Sequence, residues 1–431
     1  MVAAADGPED GRPSRRHWRW AALAAMASYI DAGSIVAAAA GLPLWESYLG
    51  LGSTTVGLLT AFSSNAISAA VGALVGGRLG DLFGRKRIYA WDLLVFAFGI
   101  AWIVFAVNLP MLFIGYVIVG LAVGADLPTS LALVAEFSPA RSRGRLLGLS
   151  QIAWCVGPLV TLLLAFALAP LGLLGVRIVF AHLFVVAIVT WLLRRSIVES
   201  ARWQRASGPN PMAASRLRDL GTPVNRRALL FTGSVYLLWN IAAGTNGAFL
   251  PYILQRQGGA DQATSVAVQS LSFVLTTFAV LLLFMPLSDS RYRRPVFAVG
   301  AVMQVAALAA FVVLPVGIGA ALVNVVLFGI GAACAGESFY KLWSQEMFPT
   351  VLRGTAQGIT FAVSRVVLGV WSFLVPVMLS SAFGLRGMSA IMMGMLVLFG
   401  VIGVVFMPDS AGRSLGELDT AHRASASPQR T

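Results

Sequence analysis

A chain of 431 residues that is 58% hydrophobic and only 11% charged cannot fold as an ordinary soluble domain, since about a quarter of the residues of such domains are charged. Its long apolar runs are typical of membrane-spanning helices, and because they are continuous rather than alternating they argue against a β-barrel. The net charge of +13 lies in short segments between these runs, which is the pattern of a topology signal and not of a nucleic-acid-binding surface.

The apolar runs predict an all-α membrane protein with twelve transmembrane helices. The predicted extents are 18–41, 54–77, 88–107, 111–136, 146–168, 174–193, 228–254, 265–288, 294–315, 318–346, 355–380 and 386–407. The linker after the sixth helix holds eight arginines and two acids. The predicted organisation is a tail at 1–17, a six-helix bundle at 18–193, the linker at 194–227, a second bundle at 228–407 and a tail at 408–431.

The placement of arginine and lysine predicts the orientation of these helices. If both termini and the linker lie on one side of the membrane, that side carries 26 of the 31 basic residues. Cytoplasmic loops of membrane proteins are enriched in basic residues. We therefore expect both termini and the linker to be cytoplasmic, in an integral protein of a bacterial inner membrane.

The two predicted bundles repeat one another in sequence. The segment EFSPARSRG at 136–144 recurs 210 residues later as EMFPTVLRG at 346–354, and Asp81 and Arg85 recur as Asp289 and Arg293 at an offset of 208. Six helices, an even number, separate the copies, so the two bundles run in the same direction. Two parallel six-helix repeats with a central cavity between them are a transporter architecture.

Several loops resemble the motifs of one transporter family. GRLGDLFGRKR at 77–87 resembles the signature loop of the major facilitator superfamily, ESARW at 199–203 resembles the PESPRW motif of its sugar porter family, and PDSAGR at 408–413 resembles the PETKG motif. The resemblance covers nearly the whole chain. It implies the fold of that superfamily, a monomer, and transport of a small solute by alternating access.

Charged side chains inside the predicted helices indicate function or pairing, because each one costs about 2.5–3.5 kcal/mol on insertion scales. Asp31 lies in YIDAGSI at 29–35, which resembles the GYDxGVI segment of proton-coupled sugar porters, and the resemblance implies that Asp31 carries the proton. Tyr116 replaces the cation that the family has in the fourth helix, and its hydroxyl can hydrogen-bond the acid instead. Asp126 in the fourth helix is a rival proton site, and purely structural pairing is the third alternative.

The charged residues of the motif loops can form a gate. Asp81 can accept hydrogen bonds from the N-terminus of a neighbouring helix, where unsatisfied amides and the helix dipole favour an anion. The glutamates and arginines can form ion pairs that tie helices together when the cytoplasmic side is closed. The alternative is that these charges only set the topology. The candidate gate residues are Asp81, Arg85, Glu136, Arg143, Glu199, Arg202, Asp289, Glu346 and Arg353.

Three amides are candidates for binding a hydroxyl-rich solute. Gln151 lies eight residues after Arg143, at the spacing of the sugar-porter glutamine in the fifth helix. NIAAGTN at 240–246 resembles QQxxGxN of the seventh helix, which implies binding roles for Asn240 and Asn246. Amides suit hydroxyls because each offers donors and an acceptor, but they also join helices inside membranes.

Lys341 in the tenth helix and Arg365 in the eleventh stand where sugar porters have aromatic residues. They predict either an anion-binding site, in which Arg365 holds a carboxylate, or internal neutralisation. In the second case Glu337 pairs with Lys341 at the i,i+4 spacing, and Arg365 pairs with Asp126 or Asp31. The candidate substrate-binding residues are thus Gln151, Asn240, Asn246, Glu337, Lys341 and Arg365.

The sequence as a whole predicts a secondary transporter in which a proton drives uptake of a sugar, a cyclitol or a sugar acid. A carrier of organic carboxylates that uses Lys341 and Arg365 is the main alternative, and uniport and multidrug efflux remain open. Without a nucleotide-binding loop or a metal-spaced His/Cys cluster in the sequence, we expect no cofactor, no metal ion and no enzymatic activity. The expected partners are the solute, protons and the lipid bilayer, with no nucleic acid.

Overall fold

The computed structural model describes residues 12–52, 55–56, 58–59, 62, 66–195, 199–208 and 211–426. The described residues form a succession of long helices, which we label α1 to α12. The first six are α1 (Arg15–Leu49), α2 (Ile67–Phe83), α3 (Arg85–Val104), α4 (Leu109–Phe137), α5 (Arg143–Ala167) and α6 (Leu173–Arg194). The next six are α7 (Pro223–Arg256), α8 (Gln262–Ala279, continued by Val280–Phe284 and Met285–Leu287), α9 (Arg293–Val313), α10 (Ile318–Cys334 and Glu337–Glu346), α11 (Arg353–Ser380) and α12 (Gly384–Val405).

Eleven of these helices are long and apolar enough to cross a membrane. The described part of α2 has 17 residues, and positions 54, 57, 60–61 and 63–65 of the predicted second helix lie outside the described residues. Apolar side chains point outward, such as Phe373 at 77% and Val313 at 75% exposure, as a surface against lipid requires. The predicted all-α fold is confirmed, and α1 to α12 are consistent with the twelve predicted spanning helices. We call the side of the bundle where α1 begins and α12 ends the terminal face.

Two helices extend past their predicted boundaries at the terminal face. α1 begins at Arg15, inside the predicted tail, because the hydroxyl of Ser14 accepts a hydrogen bond from the amide of His17 and caps the helix. α7 begins at Pro223, inside the predicted linker, since proline fits the first turn of a helix. The predicted C-terminal tail contains a further helix, Leu415–Ala426.

The predicted tenth helix is interrupted. Ala335 and Gly336 adopt extended backbone conformations, with φ of −151° and −172°, and a new helix starts at Glu337. A carbonyl freed inside a membrane needs a partner, and the side-chain amide of Gln304 donates to the carbonyl of Ala335 at 2.5 Å. Trp239 donates in turn to Gln304 at 2.8 Å. The break is therefore followed by a second, shorter helix whose first residue is Glu337.

The two halves approach closely where α2 meets α11. A Cβ added to Gly354 would lie 2.8 Å from the carbonyl oxygen of Gly77, and one added to Gly358 would collide with the carbonyl of Ala73. Small residues permit such backbone contacts between membrane helices, where van der Waals packing replaces the hydrophobic effect. The sequence repeat relates α2 to α8 and α11 to α5, and α5 and α8 are also in contact.

At the α5–α8 contact, a Cβ on Gly148 would lie 2.6 Å from Cγ of Met285, and one on Gly144 would collide with the side chain of Ser288. Gly144 and Ser288 both lie near the terminal face. The structure is therefore closed on that side, with two helix pairs related by the sequence repeat.

Candidate functional site

Glu346, at the end of α10, is held by side chains from both halves of the chain. It forms ion pairs with Arg293 of α9 and with Arg143 of α5, each at 3.0 Å. The hydroxyl of Ser410 donates to the same carboxylate at 2.6 Å. All of these groups are buried. Because Arg143 belongs to the first half and Glu346 to the second, this contact joins the halves.

Glu136, at the end of α4, has the equivalent position in the first half. It pairs with Arg85 of α3 at 3.0 Å and with Arg353 of α11 at 3.4 Å. Arg85 also donates to the carbonyl of Thr350 at 2.6 Å. The two carboxylates thus each hold one arginine of their own half and one of the other half.

Two aspartates cap helices of the opposite half. Asp81 accepts hydrogen bonds from the amides of Gly354 at 3.2 Å and Thr355 at 2.7 Å, at the start of α11. Asp289 accepts from the amides of Gly144 at 2.9 Å and Arg145 at 3.2 Å, at the start of α5. The expected contact of Asp81 with a helix N-terminus is present, and the repeat supplies it twice.

Burial raises the pKa of Asp289 above its ordinary value, because desolvation outweighs the amide donors and the nearby arginines. Glu199, after α6, accepts from the amides of Arg85 and Lys86, both at 3.1 Å, at the start of α3. Burial raises its pKa as well. Glu199 therefore binds backbone at the terminal face.

The other residues of the ESARW segment lie beside this network. Trp203 donates through its indole nitrogen to the carbonyl of Asp81 at 3.0 Å, which ties this segment to the end of α2. Arg202 is half-buried in the short helix Ala201–Ser207. We call Asp81, Arg85, Glu136, Arg143, Asp289, Arg293, Glu346 and Arg353 the terminal-face network. It joins the halves through two ion pairs and two helix caps.

Near the middle of the bundle, one ion pair crosses between the halves. Asp31 of α1 lies 3.9 Å from Arg365 of α11, and both side chains are buried. Neither carboxylate oxygen of Asp31 accepts a hydrogen bond from any residue that the structure describes. Arg365 also lies over the ring of Phe361, 4.6 Å from its centroid. Of the two partners expected for Arg365, the structure has Asp31.

Lys341 forms the second central group. Its ammonium lies 3.6 Å from Glu337, one turn earlier on α10, and donates to the side-chain oxygen of Gln151 on α5 at 3.0 Å. The expected i,i+4 pair is thus present, and an amide of the first half joins it. Within the described residues, Oε2 of Glu337 has no hydrogen-bond partner.

Asn240 and Asn246 both lie on α7, the first buried and the second half-buried. Across the described part of the chain, no hydrogen bond joins either one to Gln151 or Lys341. The structure therefore brings Gln151, Glu337 and Lys341 into one group of direct contacts, to which neither asparagine is hydrogen-bonded within the described residues.

The expected hydrogen bond between Tyr116 and Asp31 is absent. The Tyr116 hydroxyl has no partner among the described residues, and its ring packs edge-on against Phe180, 6.3 Å between centroids. Aromatic packing within the first half explains why the hydroxyl does not reach the acid. The cation that faces Asp31 comes instead from the second half.

Asp126 is paired away from the centre. Arg194, the last residue of α6, lies 3.1 Å from it and 3.7 Å from Asp92 of α3. Neither Asp92 nor Arg194 is among the candidate residues predicted from the sequence. The cost of intramembrane charge points to Asp92, which lies inside the predicted third helix, whereas Arg194 follows the predicted sixth helix directly and resembles a topology charge.

Comparison with known proteins agrees with this geometry. A family model described as the Major Facilitator Superfamily matches residues 21–370. The minor myo-inositol transporter IolF of Bacillus subtilis is 44% identical over 403 residues, covering 92% of this chain and 92% of that protein. The glucose transporter GlcP of Staphylococcus epidermidis is 27% identical over 405 residues, covering 86% and 89%.

The fold also resembles a solved structure, the proton:xylose symporter XylE bound to 6-bromo-6-deoxy-D-glucose. The TM-score is 0.81 with 20% sequence identity, over 94% of this chain and 98% of that chain. The family model spans most of the chain, and a relative well above 30% identity spans nearly all of it. The protein is therefore an integral membrane transporter and belongs to the major facilitator superfamily.

Proposed function

We propose that this transporter uses a proton to drive uptake of a neutral, hydroxyl-rich solute of the cyclitol or sugar class. The observation that carries the proposal is the charge balance of the central groups. Lys341 has Glu337 at 3.6 Å, and Arg365 has Asp31 at 3.9 Å. Two cations and two carboxylates leave no net charge for an anionic substrate to neutralise.

Burial makes this balance consequential. Removing one partner of a buried ion pair leaves the other charge unpaired and destabilises the protein by about 3–5 kcal/mol. A carboxylate substrate would have to displace Glu337 or Asp31 from its cation, whereas a hydroxyl can hydrogen-bond to the pairs as they are. Gln151 adds an amide next to Lys341, and amides serve hydroxyls as donor and acceptor. The relative at 44% identity, named as a myo-inositol transporter, supports the same substrate class.

Asp31 is the proposed proton carrier. Its carboxylate makes a long ion pair and no hydrogen bond within the described residues, so protonation disrupts no other contact of the acid. Protonation would remove the one charge that faces Arg365 from the first half. Because Asp31 and Arg365 belong to different halves, binding of the proton weakens the electrostatic attraction between the two halves.

The terminal-face network is the proposed gate. Its ion pairs and helix caps join the halves in this structure and must separate before that side can open. We infer that the terminal face is cytoplasmic, because it carries most of the basic residues. The solute would then enter from the opposite side and leave when the network opens.

The test is uptake of labelled myo-inositol into proteoliposomes with an imposed proton gradient, with glucose, glucuronate and nicotinate as competitors. We expect accumulation of inositol that polyols inhibit and carboxylates do not. Accumulation of nicotinate or glucuronate in place of inositol would show that the central cations bind a carboxylate and would overturn the proposal.

Neutralising variants sharpen the same test. Lys341→Met leaves Glu337 unpaired and Glu337→Gln leaves Lys341 unpaired, so each alone should lose most uptake. The double variant removes both charges, and we expect it to retain more uptake than either single variant. If Lys341 binds an anionic substrate, the double variant will be as inactive as Lys341→Met.

A further inference from the structure

A second group of buried charges lies inside the first six-helix bundle. Arg194 of α6 lies 3.1 Å from Asp126 of α4 and 3.7 Å from Asp92 of α3, and the three side chains are between 2% and 6% exposed. A small cavity between α1, α3 and α4 is lined by Asp92 and Asp126 together with apolar residues. The proposed transport mechanism uses none of these three residues.

The two carboxyl groups share one buried cation. Asp92 and Asp126 face the same guanidinium nitrogen of Arg194, at 3.7 Å and 3.1 Å, and Oδ2 of Asp92 and Oδ1 of Asp126 have no hydrogen-bond partner among the described residues. Two ionised carboxylates beside one arginine would leave one uncompensated negative charge in this buried group, which is strongly unfavourable. Like charges that share a buried site repel, and one carboxyl of such a pair is held protonated. With Arg194, one shared proton makes the group neutral.

Arg194 is fixed to α1 by its remaining donors. It donates to the carbonyls of Leu23 at 3.2 Å and Ala24 at 3.5 Å, and its guanidinium lies 3.8 Å from the ring centroid of Tyr89. The group therefore joins four helices, and one of them, α1, also carries Asp31. This group therefore helps to hold α1 in place, and a change in its charge would change how firmly α1 is held.

The second half of the chain builds the same junction without charge. The repeat offsets of 208 and 210 bring Asp92 to Gly300 and Asp126 to Gly336. A Cβ added to Gly300 would lie 2.6 Å from Cβ of Cys334, so α9 and α10 meet there through their backbones. Since the fold can close this junction with glycine, packing alone does not require two acids and an arginine in the first half.

We propose that Asp92 and Asp126 form a proton-binding site apart from the substrate groups, which holds one proton in this closed state. The charged and titratable groups around it are Arg194 from α6 and Tyr89 from α3, and Asp31 of α1 lies close enough to interact electrostatically with Asp126. Loss of the proton leaves one unbalanced negative charge buried among four helices. The site is therefore a pH-sensitive clamp on α1, and it goes beyond the proposed function because it holds for any solute.

The test is infrared spectroscopy of the purified full-length chain, in which a protonated carboxyl gives a carbonyl stretch distinct from that of a carboxylate. We expect a protonated-carboxyl band at neutral pH that is lost in both Asp92→Asn and Asp126→Asn, since the remaining acid then ionises against Arg194. Asp409→Asn, which changes an exposed aspartate, is the matched control and should keep the band.

Two results would overturn the proposal. One is a wild-type spectrum without a protonated-carboxyl band at neutral pH, which needs no variant to fold. The other is a band that persists in Asp92→Asn and in Asp126→Asn, particularly one that disappears in Asp31→Asn. The measurement uses no substrate, so its failure is distinct from a failure of the inositol uptake assay.

Discussion

Glu136 and Glu346 occupy equivalent positions in the two halves, and each lies between an arginine of its own half and an arginine of the other. Asp81 and Asp289 likewise each cap a helix of the opposite half. The sequence repeat is thus a repeat of contacts, and every contact of this kind lies at the terminal face. Both halves contribute equivalent contacts to closing that side.

Inside the membrane the halves differ. The offset of 210 brings Lys341 to Leu131 and Arg365 to Cys155, so neither central cation has a charged equivalent in the first half. Asp92 and Asp126 correspond to glycines in the second half. We infer that the duplicated contacts serve opening and closing, which both halves perform together. The unduplicated charges serve the binding of the solute and of protons, which the repeat does not duplicate.

The largest effect should follow loss of a buried arginine that crosses between the halves. Arg143→Ala removes a 3.0 Å ion pair and a hydrogen bond to the carbonyl of Arg413. Breaking such a pair costs about 3–5 kcal/mol, which shifts the ratio of open to closed terminal face by at least about a hundredfold. Spin labels at Arg87→Cys and Arg294→Cys, in a Cys155→Ser/Cys334→Ser background, measure the distance across this face, and we expect a longer distance to dominate.

Arg145→Ala is the control for that variant. The side chain of Arg145 is exposed, and alanine keeps the amide that Asp289 binds, so the distance distribution should match the parent protein. Arg353→Ala, the equivalent variant in the other half, should open the face too, but less, because its ion pair is longer at 3.4 Å. An unchanged distance in both Arg143→Ala and Arg353→Ala would show that these charges only set topology.

A smaller effect should separate the two equivalent aspartates. Asp81 accepts from two amides and the hydroxyl of Thr355, and pairs with Arg85 at 2.7 Å, whereas the nearest arginine to Asp289 is Arg293 at 4.0 Å. Charge-assisted hydrogen bonds contribute about 1.5–3 kcal/mol and neutral ones about 0.5–1.5 kcal/mol. Asp81→Asn should therefore raise the open population about tenfold.

Asp289→Asn should raise the same population only about threefold, because asparagine keeps an acceptor oxygen for the helix amides and loses only the charge, which contributes about 0.3–1 kcal/mol at a helix N-terminus. The same pair of spin labels measures both variants. If Asp289→Asn opens the terminal face as much as Asp81→Asn, the extra donors of Asp81 contribute nothing to closure, and the two halves are equivalent in energy as well as in geometry.

The difference between duplicated and unduplicated contacts also decides which parts of this structure the sequence predicts. The duplicated loops could be predicted, because a repeated spacing of Glu, Pro, Arg and Gly marks residues that must meet in both halves. The pair of Lys341 with Glu337 could be predicted from helical spacing alone. These contacts depend on local geometry or on symmetry, which a sequence displays.

The remaining contacts depend on how helices rotate against each other. Tyr116 turns towards Phe180 and not towards Asp31, and Arg194 reaches back from the helix end into the bundle. The break in α10 depends on Gln304 of α9, whose side chain accepts from Trp239 and donates to the carbonyl of Ala335. Such contacts are set by packing between helices distant in the chain, and no local pattern of residues predicts them.

The smallest effect concerns the uncharged junction of the second half. Gly300 and Gly233 both lie inside helices, so alanine at either position gains the same helix propensity, about 1 kcal/mol. They differ in space, because a Cβ would lie 2.6 Å from Cβ of Cys334 at Gly300 but 3.5 Å from the Thr360 side chain at Gly233. Overpacking costs about 1–3 kcal/mol, and thermal unfolding of the purified variants measures the balance.

We expect Gly300→Ala to unfold at a lower temperature than the parent protein, and Gly233→Ala at the same or a higher one. The difference between the two variants isolates the steric cost at the junction, since the propensity gain cancels. If Gly300→Ala is as stable as Gly233→Ala, the α9–α10 junction has room for a side chain. The equivalence with Asp92 and Asp126 would then rest on sequence position alone, and the absence of charge in the second half would no longer follow from close packing.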